Sequence, residues 1–189
     1  ILPLSLVGLF GLLALMLLQA SRQQARTDAQ GNLVVLEQQD RSLWDRQRIE
    51  EGCELVRQAL QSRAFGAYTV QAAIAAVHAE ASTAAETDWA EIVGLYDVLQ
   101  RHWPSAVVEL NRAVAVAKRD GPEVGLQVVE GIMARGELLD YHLAHVARAE
   151  LHYQLGQVEE ARAAWRQALA LTRQEPERRH IERRLQAIE

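Results

Sequence analysis

The sequence predicts an all-α protein, an array of antiparallel helical hairpins interrupted once by a short non-helical or β-hairpin excursion. Three observations predict it. Hydrophobic residues make up 49% of the chain but aromatics only 5%, an Ala/Leu-rich balance that suits helices better than a β-sandwich. Apolar residues recur at helical spacing over most of the chain, with Gly and Pro at the segment ends. The helical segments also recur. Ala161 and Gly125 are 36 residues apart (161 − 125), Gly125 and Ile92 are 33 apart (125 − 92), and Ile92 and Gly52 are 40 apart (92 − 52). Periods near these values mark α-solenoids, in which each hairpin needs a neighbour to cover its apolar face.

The clearest hairpin spans residues 149–171, AELHYQLGQVEEARAAWRQALAL. Leu151 and Leu155 share one helical face, and Gly156 stands where a helix C-terminus needs positive φ. Ala161, Trp165, Ala168 and Leu169 then form an amphipathic stripe in which small residues admit a neighbouring helix and Trp165 fills the gap. With its Gly, Ala, aromatic and Ala positions in order, this stretch resembles the second half of a tetratricopeptide repeat.

The rest of the chain is organised around it as one domain over residues 1–189, with a first helix at 1–27, the excursion at 28–41, degenerate hairpins at 42–174 and a capping helix at 175–189. Between Ile1 and Leu18 only Ser5 is polar. That run reads either as a buried helix, with Gly8, Gly11 and Ala14 giving close contacts, or as a membrane span with Arg22 and Arg26 as its basic flank. Ala29 to Asn32 signals a turn, and Leu33 to Leu36 is a β-type run. Ser42 with Asp45 forms S-x-x-D, predicting a capping box and a helix to about Ser62. A further helix is predicted over 67–80, and Thr87 is the predicted cap of the helix holding Trp89, Ile92, Val93 and Tyr96. Pro104-Ser105 opens the next helix, and Gly121-Pro122 separates it from its partner. Helices over 137–155 and 158–173 follow, and Pro176 begins a polar-backed last helix with Ile181, Leu185 and Ile188 on one face.

Charge narrows the function classes. The net charge is −5, and no Lys/Arg cluster stands alone in the sequence, so the chain by itself is not expected to bind nucleic acid. The single cysteine, Cys53, excludes an internal disulfide, fits a reducing, cytoplasmic setting, and reads as a small core residue among Ile49, Val56 and Leu60. His142, His145 and His152 fall on roughly one helical face, but no Cys or acidic cluster completes a metal-ligand set. His78 and Glu80 do not share a face, which disfavours an acid–base pair. With no phosphate loop, nucleophile triad or paired catalytic carboxylate, the expectation is a non-enzyme without cofactor or metal. Two places read as partner-binding candidates. Asp40, Arg41, Trp44, Asp45 and Arg46 combine an aromatic with close charges, the composition of a binding hot spot and equally of a capped helix over a buried tryptophan. Asn111 and Arg112 are polar in an otherwise apolar helix, where they satisfy loop carbonyls or face a groove.

A wider resemblance covers residues 11–189. LLALMLLQASRQQARTDAQGNLVVLEQQDRSLWDR, YTVQAAIAAVHAEA, DWAEIVGLYDVL, VVELNRAVAVA, the GP-x-x-GL of Gly121 to Leu126, YHLAHVARAEL and GQVEEARAAWRQALAL occur in that order. In this they resemble the C-terminal tetratricopeptide-like extension of one group of bacterial extracytoplasmic-function sigma factors. The resemblance implies a longer protein whose two core sigma regions precede Ile1, in keeping with a chain that begins on isoleucine. It implies a regulatory or protein-interaction module with RNA polymerase core, its own sigma regions or a regulatory protein as partners, and DNA contact only through the preceding regions. It also implies a soluble first helix and no membrane partner, although ILPLSLVGLF at residues 1–10 is more apolar than the family's usual lead-in. The competing expectations are a stand-alone tetratricopeptide-like adaptor and an adaptor anchored in a membrane through residues 1–18.

Overall fold

A computed structural model of the chain describes residues 6–62 and 65–188, so the expectations for Ile1–Ser5 lie outside the described residues. Nine α-helices run in order among them: α1 (Leu6–Ala20), α2 (Arg46–Gln61), α3 (Ala67–Glu80), α4 (Trp89–His102), α5 (Ala106–Asp120), α6 (Pro122–Ala134), α7 (His142–Gln154), α8 (Val158–Leu171) and α9 (Glu175–Gln186). The all-α array of helical hairpins is the observed class, and the described residues contain no strand.

The starts of α2, α4 and α5 follow the side chain that reaches the orphan N–H groups. The capping box expected at Ser42 does not form, because Ser42 sits inside a 3-10 turn, Arg41–Leu43. Asp45 caps α2 instead, its carboxylate accepting from the Arg48 N–H at 3.1 Å. Thr87 likewise closes a 3-10 turn with its own N–H, and the carboxylate of Asp88 caps α4 through the Glu91 N–H at 2.9 Å. Ser105 caps α5, and Pro122 opens α6, both as expected from the sequence. Helix α7 begins at His142 rather than Glu137, because Leu138 takes φ of 56° and breaks the helical path. The expected β-type run at Leu33–Leu36 reduces to single bridge residues at Thr27 and Leu33, one bond from Val34 N–H to Arg26 O (2.9 Å), and a 3-10 turn, Leu36–Gln38.

Packing divides the chain into two compact units. One holds the described residues up to Gln30 with Val34–Trp103, and the other holds Gly31–Leu33 with the described residues from Pro104 onward. In the first unit α1, α2 and α3 pack on one another and α4 packs on α3. Its core is Ala14, Leu18, Trp44, Ile49, Cys53, Val56, Ala72 and Ala76 with their neighbours. Gly52 lets α2 lie against α1, since a Cβ there would stand 2.7 Å from Leu18 Cγ. Burial pushes the Cys53 thiol up to about 11, which agrees with an inert core residue.

In the second unit the helices pack in sequence order, α5 on α6, α6 on α7, α7 on α8 and α8 on α9. Gly125 of α6 sits against Ala113 and Ala117 of α5 with no room for a Cβ, and Ala161 of α8 is fully buried in the next hairpin. The 36-residue step read from the sequence therefore joins two helix-contact positions. Trp165 is buried with Ala161, Ala164, Ala168, Ala149 and Ile181. Polar ties hold α9 over it. The Arg178 guanidinium donates to Leu169 O and Thr172 O at 3.0 Å each, closing the α8 end, and Arg184 Nη2 donates to Glu150 at 2.7 Å. The Arg184 guanidinium also lies 4.8 Å from the Tyr153 ring centre and 4.9 Å from that of Trp165.

Among the described residues no helix is long and apolar enough to cross a membrane. The 15-residue α1 buries Gly11, Ala14 and Leu18 on one side. Leu9, Leu13 and Met16 are exposed on the other.

Candidate partner interface

The segment from Ser21 to Asp45 leaves the helical path, so its backbone groups need side-chain partners. Ser21 Oγ donates to Leu18 O at 2.7 Å, and Ser21 O accepts the Asp45 N–H at 2.9 Å, which closes the segment on itself. Asp40 accepts the Ser42 N–H at 2.9 Å, and hydrogen bonds from the Ser42 hydroxyl and from this N–H hold its carboxyl below the usual range. The turn so fixed presents Arg41 to the end of α3. There its Nη1 donates to His78 O at 2.6 Å and Ala81 O at 2.8 Å. These carbonyls have no helical partner beyond them, and a guanidinium satisfies two at once.

Trp44 is only 3% exposed. Two guanidinium carbons lie near its ring centre, that of Arg41 at 4.5 Å and that of Arg22 at 5.9 Å. Its Nε1 has no hydrogen-bond partner. Arg22 Nη2 donates to Gln19 Oε1 at 2.5 Å, and Arg26 Nη2 donates to the same oxygen at 2.8 Å. Burial, with Arg26 and Arg41 adding repulsion, lowers the Arg22 pKa to about 10. Burial also lowers His78 to about 4, Arg22 and Arg41 acting in the same direction and Glu37 opposing them. His78 packs edge-on against Trp89, ring centres 5.3 Å apart.

Of the residues singled out by sequence, Asp40, Arg41, Trp44, Asp45 and Arg46 share the first unit, and Asn111 and Arg112 lie on α5 in the second. Trp44 belongs to the core, Arg41 is spent on the α3 carbonyls, and Asp45 is a helix cap. Between Asp40 and Arg46 the exposed residues are Asp40, Ser42, Leu43, Asp45 and Arg46. Asn111 is exposed and Arg112 half-buried on α5. The sequence reading found no basic cluster, yet folding brings Arg22, Arg26 and Arg41 together. The signal available is the i, i+4 pair of arginines just past α1, which reads in the sequence either as the basic flank of a membrane span or as polar residues emerging into water.

In the second unit a groove is lined by Glu123, Leu126, Gln127, Glu130, Leu155 and Gln157. The three histidines have separate partners. His145 Nε2 bonds Leu139 O at 2.8 Å, His152 Nδ1 bonds Gln157 Oε1 at 2.6 Å, and His142 Nε2 lies 3.1 Å from Glu177. His145 and His152 each tie α7 to a connection, and no group of metal-ligating residues is formed among the described residues.

Two stretches match described families. Residues 7–60, covering α1, the excursion and most of α2, match a family of unknown function, DUF6596. Residues 142–175, α7 with α8, match the tetratricopeptide repeat. An uncharacterized protein of Rhizobium meliloti (strain 1021) is 48% identical over 177 residues, 94% of this chain and 41% of that protein. The chain thus spans about two fifths of that relative's length. No solved structure matches. The tetratricopeptide repeat is a fold that serves protein–protein interaction, and that level of function follows from the match.

Proposed function

We propose that the chain is the non-enzymatic C-terminal regulatory and interaction module of an extracytoplasmic-function-type sigma factor, working in the cytoplasm. Its partners are the RNA polymerase core and the sigma regions of the same full-length protein, and it reaches DNA only through those regions. The observation that carries the interaction reading is the tetratricopeptide hairpin α7–α8, docked between α6 and a polar-backed α9. The ordered motifs between Gly11 and Leu171 supply the sigma-factor part of the reading, on the strength of their resemblance to that extension. The relative's greater length leaves room for the regions such a module would serve.

The test is a binding measurement with purified components. Residues 1–189 are immobilised and offered RNA polymerase core, the separately produced sigma regions, or both. Saturable binding to one of them supports the proposal. Binding to neither, with the chain folded by circular dichroism, leaves a stand-alone adaptor and removes the sigma-factor reading.

A further inference from the structure

Arginine side chains that leave water are ordinarily paired with carboxylates. Arg22 is half-buried, yet neither it nor Arg26 or Arg41 has a carboxylate within ion-pair distance among the described residues. What they share instead are neutral groups. Arg22 and Arg26 donate to one oxygen, Gln19 Oε1. Arg22 and Arg41 flank one ring, Trp44. Three like charges are thereby held close by an amide and an indole, an arrangement that repels itself and lacks its counter-charge.

The geometry points to a docking site for an acidic protein segment at Arg22 and Arg26, beside the charge of Arg41, with an Asp or Glu carboxylate of the partner seated at the two guanidinia. The fork of an arginine matches a carboxylate in two parallel bonds, and Arg26 is exposed enough to meet it first. Exposed Leu43, next to Trp44, gives the same segment an apolar contact. A protein segment suits the site better than nucleic acid. The chain carries −5 overall, so a polyanion with a charge at every step is repelled along its length, whereas a short acidic stretch meets only the local cluster. His78, whose ionisation Arg22 and Arg41 oppose, reports on the site, because a bound carboxylate offsets both.

This inference rests on the reading of the chain as an interaction module. The test uses the whole chain and a fluorescein-labelled hexaglutamate peptide, with hexalysine and inorganic phosphate as comparison probes. Hexaglutamate binds in a salt-sensitive manner, hexalysine does not, and the His78 ring signal shifts toward the protonated form. Arg22→Gln and Arg26→Gln each weaken binding about tenfold, while Arg57→Gln, paired with Glu54 on α2, leaves it unchanged. Arg26 is exposed, so its variant reads binding without loss of fold. Absence of hexaglutamate binding, or binding indifferent to both variants, overturns the inference. Phosphate binding that hexaglutamate fails to displace overturns it too, leaving a small-anion site. Peptide binding without capture of polymerase or sigma regions removes the sigma-factor reading alone, and the reverse result removes only this docking site.

Discussion

At the residue scale the informative side chains are those that carry a charge into the core. Arg41 joins residues about 40 positions apart by capping α3 and covering Trp44. Arg41→Ala leaves two half-buried carbonyls without donors and is expected to cost about 1–3 kcal/mol in urea melts, well above the ~0.5 kcal/mol of an exposed change. Trp44→Ala removes a buried ring and costs about 3–5 kcal/mol. Loss of partner binding by either variant should therefore be compared with its melting curve. His78 gives a pH signature. It titrates near 4 in the folded chain against 6.5 as the ordinary value, so between those values the unfolded chain binds the extra proton. Its contribution is full above pH 6.5 and is lost as pH falls toward 4, about 3 kcal/mol in all. The urea midpoint should fall as pH drops across that window, and His78→Gln should make that fall shallower. The sequence showed Arg41 and Trp44 as a pair worth attention. It could not show the reach to α3, because local spacing reports a segment's own faces and not what packs on them.

At the element scale the legible parts were those with periodicity and caps of their own. Helix α3 over 67–80 and the Gly121-Pro122 break appear where the sequence places them, and α8 ends within two residues of its expected limit. The misplaced starts, at Ser42 and Thr87, are sites where an aspartate stands within a few residues of a hydroxyl and wins as the stronger acceptor. The contacts of α9 were less legible. Its arginines read as a solvated face, yet Arg178 closes α8 and Arg184 stacks on Tyr153 and Trp165. Because Trp165 is the surface on which α9 rests, Trp165→Ala should cost about 3–5 kcal/mol, with α9 losing protection first. Hydrogen exchange followed by mass spectrometry checks this. Protection lost evenly over α5 to α9, or unchanged in α9, would contradict the docking described.

At the scale of the whole molecule the sequence conveyed the class and the repeat, through the 36-residue step between Gly125 and Ala161. The division into two units was not legible, since one helical period runs through both. Nor was the arginine cluster, whose members come from just past α1 and from the turn before α2. In the proposed role, the chain conditions initiation by contacts with its own sigma regions and polymerase. The most direct measurement is promoter-dependent run-off transcription by the full-length protein with RNA polymerase core, with and without residues 1–189, the chain also being added back in trans. The proposal predicts that removal changes the yield of specific transcript by at least about tenfold, and that adding back the folded chain restores part of the difference. Identical transcription with and without these residues would contradict it.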